Sequence, residues 1–293
     1  MLTTKQKIRL ARIIQAPLLW ICQRTRGSTS VNVRRQHISW CLDLREGIDF
    51  SIFLLGSFER QVARACRRLT FPGAIVFDIG ANIGAHALPL ALRVGEKGRV
   101  YCFEPTAYAY EKLCANVALN PTLTNIEAFQ EMVGSSVDSV PNTLPSSWPL
   151  DGRDVDEQLR AKFRSTDGAR MTTIDKFVEL NKITRLDLLK IDVDGYELSV
   201  LEGATDVLRN LRPKIITEIA PYMLARHGYT TQELCQLLAT QGYTLLDLDG
   251  LKPLADPISL SKSIPRGAGA NIVAWPSDGQ EPEQLHIQHV RQT

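Results

Sequence analysis

Between Ile75 and Thr240 the chain alternates short continuous apolar runs with segments whose apolar residues return at helical spacing. Ile75–Asp78, Arg99–Glu104, Ile126–Val133, Leu186–Asp192 and Lys214–Glu218 read as strands buried on both faces. Residues 85–94, 108–119, 196–211 and 231–240 read as helices; in the third, Val200, Leu201, Ala204, Val207, Leu208 and Leu211 make one stripe. Pro89 predicts a kink or late start in the first of them. This alternation predicts right-handed βαβ units and a mostly parallel α/β sheet covered on both faces. Tyr243–Leu248 and Ala270–Trp275 follow as closing strands.

Outside this rhythm the pattern changes. Val31–Leu44 has strand character, and Arg45–Asp49 reads as a turn before Phe50–Leu55, together an entry hairpin. Phe58–Leu69 reads as a helix with Val62, Ala65, Cys66 and Leu69 inside and Arg60, Arg64, Arg67 and Arg68 solvated. Residues 135–170 hold Pro141, Pro145 and Pro149 among serines and charges, with a short helix over 155–163, and read as a lid or substrate-specific insertion. Asp175 is placed to cap a helix over 176–181. The chain thus divides into a basic helical extension (1–35), a main domain (36–276, with its hairpin at 36–58 and insertion at 135–170) and a polar, disordered tail (277–293).

Composition adds little to the fold and more to the setting. Apolar residues at 44% and charged residues at 23% suit a globular core. Six scattered cysteines, without C-x-x-C or metal-ligand spacing, fit a reducing, cytoplasmic setting and leave no metal ligand assigned. The net charge of +2 is uneven: the first 35 residues hold eight Lys or Arg and no acid, leaving 26 basic against 32 acidic residues. No broad basic face remains for a nucleic-acid partner. The apolar run Ile13–Cys22 is interrupted by Gln15 and Pro17, lacks a following A-x-A site, and falls short of the roughly 20 residues a membrane span needs. A helix packed on the domain is the simplest reading; a peripheral membrane-surface helix and an export signal are the alternatives.

The strands end in acids: Asp78, Glu104, Asp192 with Asp194, and Glu218. In an open α/β sheet that carboxyl edge holds the ligand. Gly80, Ala81, Asn82 and Gly84 form a turn where backbone can approach a cofactor. The dinucleotide pattern G-x-G-x-x-G fails at Asn82 and Ala85, and no phosphate-binding P-loop is present. An acid just before such a turn suits an ammonium better than a pyrophosphate, so Asp78 reads as a partner for the amino group of S-adenosylmethionine and Glu104 as a partner for its ribose hydroxyls.

Val76–Gly84, Phe103-Glu-Pro105, Leu188–Glu197 and Val200–Ala204 resemble the FkbM family of S-adenosylmethionine-dependent methyltransferases, as do Asp49–Glu59 and Asn271–Trp275. The resemblance covers Ile38 to Pro276. It implies a Rossmann-like class I methyltransferase fold, a seven-stranded sheet with an antiparallel last strand, and methyl transfer to a hydroxyl of a sugar, glycan, glycolipid or natural product. The family often shows D-V-E-G where this chain has Asp192-Val-Asp194-Gly195. A hydroxyl acceptor needs a base or a metal near its proton. Asp192 and Asp194, two apart, can face one way; His86 and Glu218 are further candidates, while Glu197 reads as a partner of its helix dipole and Tyr222 and His227 fall in a loop. Asp192 is also a donor-site candidate, and Mg2+ is an addition that no ligand spacing supports. A non-catalytic binding module and a D-x-D glycosyltransferase stand as alternatives. Nothing in the sequence indicates an oligomeric state.

Overall fold

The computed structural model describes residues 4–150, 161–254, 256–265 and 267–277. It begins with α1 (Thr4–Arg26), a hairpin of β1 (Ser30–Arg35) and β2 (Ile38–Asp43), then α2 (Gly47–Leu55) and α3 (Arg60–Leu69). The alternating region opens with β3 (Ile75–Ile79), α4 (Ala87–Val94), β4 (Arg99–Phe103), α5 (Ala107–Ala118) and β5 (Ile126–Phe129). Short strands β6 (Glu131–Val133), β7 (Thr143–Ser147), β8 (Lys162–Ser165) and β9 (Arg170–Thr172) intervene before α6 (Ile174–Leu180) and β10 (Leu188–Ile191). The chain continues through α7 (Glu197–Glu202), α8 (Thr205–Asn210), β11 (Lys214–Ile219), α9 (Pro221–Arg226) and α10 (Thr231–Thr240). It closes with β12 (Tyr243–Asp247), α11 (Pro257–Ser263) and β13 (Ala270–Pro276).

Seven strands form one sheet in the order β12-β13-β11-β10-β3-β4-β5. The pairs from β11 to β5 are parallel, and β13 runs antiparallel to both its neighbours. This is the mostly parallel, Rossmann-like sheet with an antiparallel last strand that the sequence implied. Chain order reverses between β3 and β10, so the crevice opens at their carboxyl ends. Successive strand residues feed opposite layers. Val76, Val100, Leu188 and Ile216 pack with α3, α4 and the hairpin, whereas Phe77, Phe103, Leu189 and Ile215 pack with α6, α7, α8 and α10. Phe177 of α6 meets four rings of the second layer, with centroids 4.7 Å from Phe103, 5.0 Å from Phe129, 5.5 Å from Phe77 and 5.6 Å from Tyr101.

Several local expectations are corrected. Phe50–Leu55 is helical: the hairpin turns earlier, at Gln36 and His37 (φ 48° and 67°), and Phe50 and Ile52 of α2 are buried. A short apolar run does not distinguish strand from helix. Ile126–Val133 splits at Gln130, and β6 leaves the main sheet to pair with β9. The stripe over 196–211 is two short helices parted at Gly203, where a Cβ would lie 2.0 Å from the Gly134 carbonyl oxygen and only glycine fits. Thr173, not Asp175, caps α6 by accepting from the Lys176 amide at 3.1 Å. Asp175 instead accepts from the Asp206 and Val207 amides at the start of α8 (3.0 and 2.9 Å). Tyr222 lies in α9, with His227 at its C-terminal end. The insertion holds the β7–β8 hairpin, with Lys162 and Phe163 in a strand. Residues 155–160 of the expected short helix, and 278–293 of the tail, lie outside the described residues.

Helix α1 packs through Leu18, Leu19 and Cys22, and buried Gln15 donates to the Leu44 carbonyl at 2.6 Å. Among the described residues no helix is long and apolar enough to cross a membrane. Asn116 of α5, fully buried, accepts from the Cys41 amide (2.8 Å) and donates to the Ile83 carbonyl (3.0 Å), tying hairpin to glycine turn. Phe177→Ala would remove the ring shared by all four aromatic partners, and urea unfolding should record a loss of about 3–5 kcal/mol.

Candidate active site

A cavity of about 1200 Å³ sits at the carboxyl edge of the sheet. Its floor is the turn after β3. Gly80, Asn82 and Gly84 all take positive φ (78°, 48° and 90°). Glycine is required at position 80, where a Cβ would stand 1.9 Å from the Asp192 carbonyl oxygen. The amides of Gly80 and Ala81 donate to the Phe103 carbonyl (2.9 and 3.0 Å), and that of Asn82 to Glu104 Oε2 (3.0 Å). Ile83 donates to Asn82 Oδ1 and Gly84 to the Ala81 carbonyl, both at 2.9 Å. Every N–H from Gly80 to Gly84 is therefore committed inside the protein. A turn that binds phosphate keeps such groups free; this one has none to offer.

Glu104 lines the cavity at the end of β4. Besides the Asn82 amide it accepts from the Thr106 amide (3.0 Å) and hydroxyl (2.6 Å). With its proton committed to Glu104, the Thr106 hydroxyl accepts from Ser146 of the insertion at 2.6 Å. Burial raises the Glu104 pKa, against which these donors act. The insertion is fastened a second time by Ser147, whose hydroxyl lies 2.9 Å from both oxygens of buried Glu46. Through Pro145, Ser146, Trp148 and Leu150 it forms one wall.

Asp78 is fully buried and does not line the cavity. Its carboxylate accepts from Lys190 of β10 at 3.0 Å, so its cation comes from the protein. The Lys190 ammonium also lies 3.5 Å from Asp192, which does line the cavity. Burial works to lower the Lys190 pKa, but Asp78 and Asp192 outweigh it and hold the amine above its usual value. Sequence reading passed over Lys190 as one polar residue in an apolar strand; its place opposite Asp78 in the β3–β10 register is the signal that locates it.

The remaining acids converge from different elements. Asp194 lines the cavity at φ 51°, and its pKa is raised well above the usual range by burial and by Asp192 and Glu197. Glu218, at the end of β11, is raised likewise by burial and by Asp192. Glu197 faces away from the cavity: it is fully buried and accepts from the Val193 and Gly195 amides, both at 3.2 Å, shaping the turn that carries Asp194. His86 lines the cavity but is almost fully buried; burial and Lys190 push its pKa well down, so it is a neutral imidazole. Its Nε2 has no hydrogen-bond partner among the described residues and faces Glu59 at 3.9 Å. Glu59 was not singled out from sequence. It precedes α3 in a left-handed conformation (φ 38°), lines the cavity, and has a pKa pushed up to about 7 by burial and Asp192 against Lys190. A non-glycine residue held there is a signal only the backbone reveals. Among the described residues no group of three or more His, Cys, Asp or Glu is arranged to hold a metal ion, so Mg2+ has no assigned ligands.

The doubly wound sheet, the phosphate-averse glycine turn and the acid after β4 define a Rossmann-like methyltransferase. The family model for the methyltransferase FkbM domain matches residues 78–245, and the chain belongs to that family. It is 30% identical over 169 residues to methyltransferase sdnD of Sordaria araneosa, a match over 49% of this chain and 65% of that one. It is 28% identical over 159 residues to the hexuronic acid methyltransferase AglP of Haloferax volcanii, covering 54% of this chain and 61% of that one. The chain thus spans less than two thirds of either relative. A solved FkbM methyltransferase from Methylobacillus flagellatus is similar with a TM-score of 0.42 and 17% identity, over 70% of this chain and 44% of that one. Asp192 and Asp194 fall inside the matched region, which favours the methyltransferase over the glycosyltransferase reading of D-x-D.

Two measurements test the electrostatics. Lys190→Met strands Asp78 without a cation and should cost about 3–5 kcal/mol in urea unfolding, most of it regained in the Lys190→Met/Asp78→Asn pair. Burial pushes the Glu197 carboxyl up to about 7, and Glu59, although partly open to solvent, is shifted the same way from the ordinary glutamate value of 4.5, so the folded chain binds more protons between those limits. Stability should therefore fall as pH rises from about 5 to about 7.5, and Glu197→Gln should flatten that slope in thermal scans.

Proposed function

We propose that the chain is an S-adenosylmethionine-dependent O-methyltransferase acting on a hydroxyl of a sugar, glycan or natural product. The observation that carries this reading is the glycine turn: it leaves no N–H for a phosphate, yet forms the cavity floor beside Glu104. S-adenosylmethionine has no phosphate and carries a sulfonium, an ammonium and one carboxylate. That suits a cavity lined by Asp192 and Lys190, where Glu59, Asp194 and Glu218, their pKa values raised, can donate as well as accept. Glu104 keeps lone pairs for ribose hydroxyls, and Gly80, Ala81, Asn82 and Gly84 supply the surface beneath. Pro105, Met132 and Val133 offer apolar contact for a base, with Glu131 alongside. Asp78 acts on this site only by fixing Lys190, which in turn positions Asp192.

When bound, S-adenosylmethionine supplies a methyl group activated by its sulfonium. What remains for the protein is to hold the acceptor oxygen in line and to take its proton. Glu59 is the base of this reading, since its pKa of about 7 matches neutral conditions, and Asp192, Asp194 and Glu218 accept the other hydroxyls. Neutral His86 stands beside Glu59 as a donor or acceptor without a charge of its own.

Calorimetry should detect S-adenosylmethionine binding, weakened roughly tenfold or more by Glu104→Gln. Wild-type protein that gives no heat would sink the reading. S-adenosylhomocysteine release across a pool of sugars, glycolipids and polyketides should appear with wild type and fall roughly 100-fold or more in Glu59→Gln, with cofactor binding retained. Binding without release from any acceptor would make the chain a binding module.

A further inference from the structure

A surface helix buries one apolar stripe and turns a polar face outward. Helix α1 has two apolar stripes. Leu18, Leu19 and Cys22 pack against the core beside buried Gln15. On the other side Ile13, Ile14, Trp20 and Ile21 are 65%, 37%, 64% and 47% exposed. At 3.6 residues per turn these four share an arc of about 120°. The helix sequence carries Lys5, Lys7, Arg9, Arg12, Arg24 and Arg26 without one acid, and the Arg24 guanidinium lies 5.6 Å from the Trp20 ring centroid.

This arc runs into the rim of the cavity. Arg12 and Ile14 line the cavity and are exposed, and so are Leu54 and Leu55 of α2 at 44% and 46%. Residues that both line a cavity and meet solvent mark its mouth. The mouth and the outer stripe of α1 therefore form one apolar surface, with Arg12 at the mouth and Arg24 beside Trp20.

We propose that this surface docks on an anionic lipid bilayer. A tryptophan with isoleucines on a helix rich in Lys and Arg is the composition that lies in the headgroup boundary. A second copy would bring its own six helix cations against these six, a repulsive match. Residues 36–293 carry 26 basic and 32 acidic side chains, so an anionic surface attracts the helix and repels the body, which orients the molecule. Docked this way, the mouth faces the lipid headgroups; on the methyltransferase reading above, the hydroxyl it receives is one carried on an amphiphile.

Flotation of the full chain with vesicles tests the docking without reference to methyl transfer. Binding should appear on phosphatidylcholine containing about a third phosphatidylglycerol, be absent on phosphatidylcholine alone, and weaken in high salt. Ile13→Glu/Trp20→Glu should cut the bound fraction roughly tenfold or more at an unchanged thermal midpoint. Equal flotation of this variant and wild type, or no flotation of wild type on anionic vesicles, overturns the proposal. So does a dimer, seen by light scattering, that the double substitution abolishes. Calorimetry with S-adenosylmethionine stands apart from all three outcomes, so failure of docking and failure of the proposed activity are read separately.

Discussion

The site depends on one buried cation. Lys190 stands in the central strand pair with 2% of its surface exposed, and moving an ammonium there from water is costly unless anions surround it. Asp78 on β3 and Asp192 at the end of β10 provide them, at 3.0 and 3.5 Å. The pair with Asp78 sits across the parallel register Asp78–Lys190, so it exists only when β3 and β10 are adjacent and aligned. The contact to Asp192 carries that alignment to the edge where ligand binds. One ammonium thus links the register of the sheet to the direction of a carboxylate in the cavity.

A second economy governs the glycine turn. Five consecutive amides find partners within the protein, two of them on the Phe103 carbonyl and one on Glu104. The turn is consequently rigid and electrically quiet, a surface for a cofactor rather than an anion trap. Glu104 serves the turn through one oxygen and Thr106 through the other, and Thr106 reaches Ser146 of the insertion. The floor and the wall of the cavity share one carboxylate.

The strands were legible because buried parallel strands need uninterrupted apolar runs, and the acids ending them were legible by position alone. The helices of the outer layer were less so. The stripe from Val200 to Leu211 is continuous in sequence, yet Gly203 meets the Gly134 carbonyl, a contact between segments far apart in the chain. The apolar run at Phe50–Leu55 was assigned to the wrong element for want of length. In the site, Asp192, Asp194, Glu104 and Glu218 all reach the cavity, while Asp78 is drawn behind it by Lys190. Glu59 closes the family-like segment Asp49–Glu59, but no pattern there marks it as a site residue; what marks it is a left-handed backbone beside a neutral histidine. Pattern reading finds residues that repeat a rule, and misses those defined by a single tertiary approach.

The two halves of the cavity also have different origins along the chain. The family match begins at residue 78, and from there on come the glycine turn, Glu104, Lys190 and the acids after β10 and β11. Arg12, Ile14, Gly47, Leu54, Phe58 and Glu59, which build the opposite side, all precede it. Asn116 and the contact of Ser147 with Glu46 tie these early segments to the matched region. The matched region supplies the sheet register, the turn with no spare amide and the acid after the second strand. The other wall comes from α1, α2 and the loop before α3, which lie outside that match. On the proposed reading, residues 12–59 and the insertion supply walls that an acceptor would meet, and none of them takes part in the Asp78–Lys190 register.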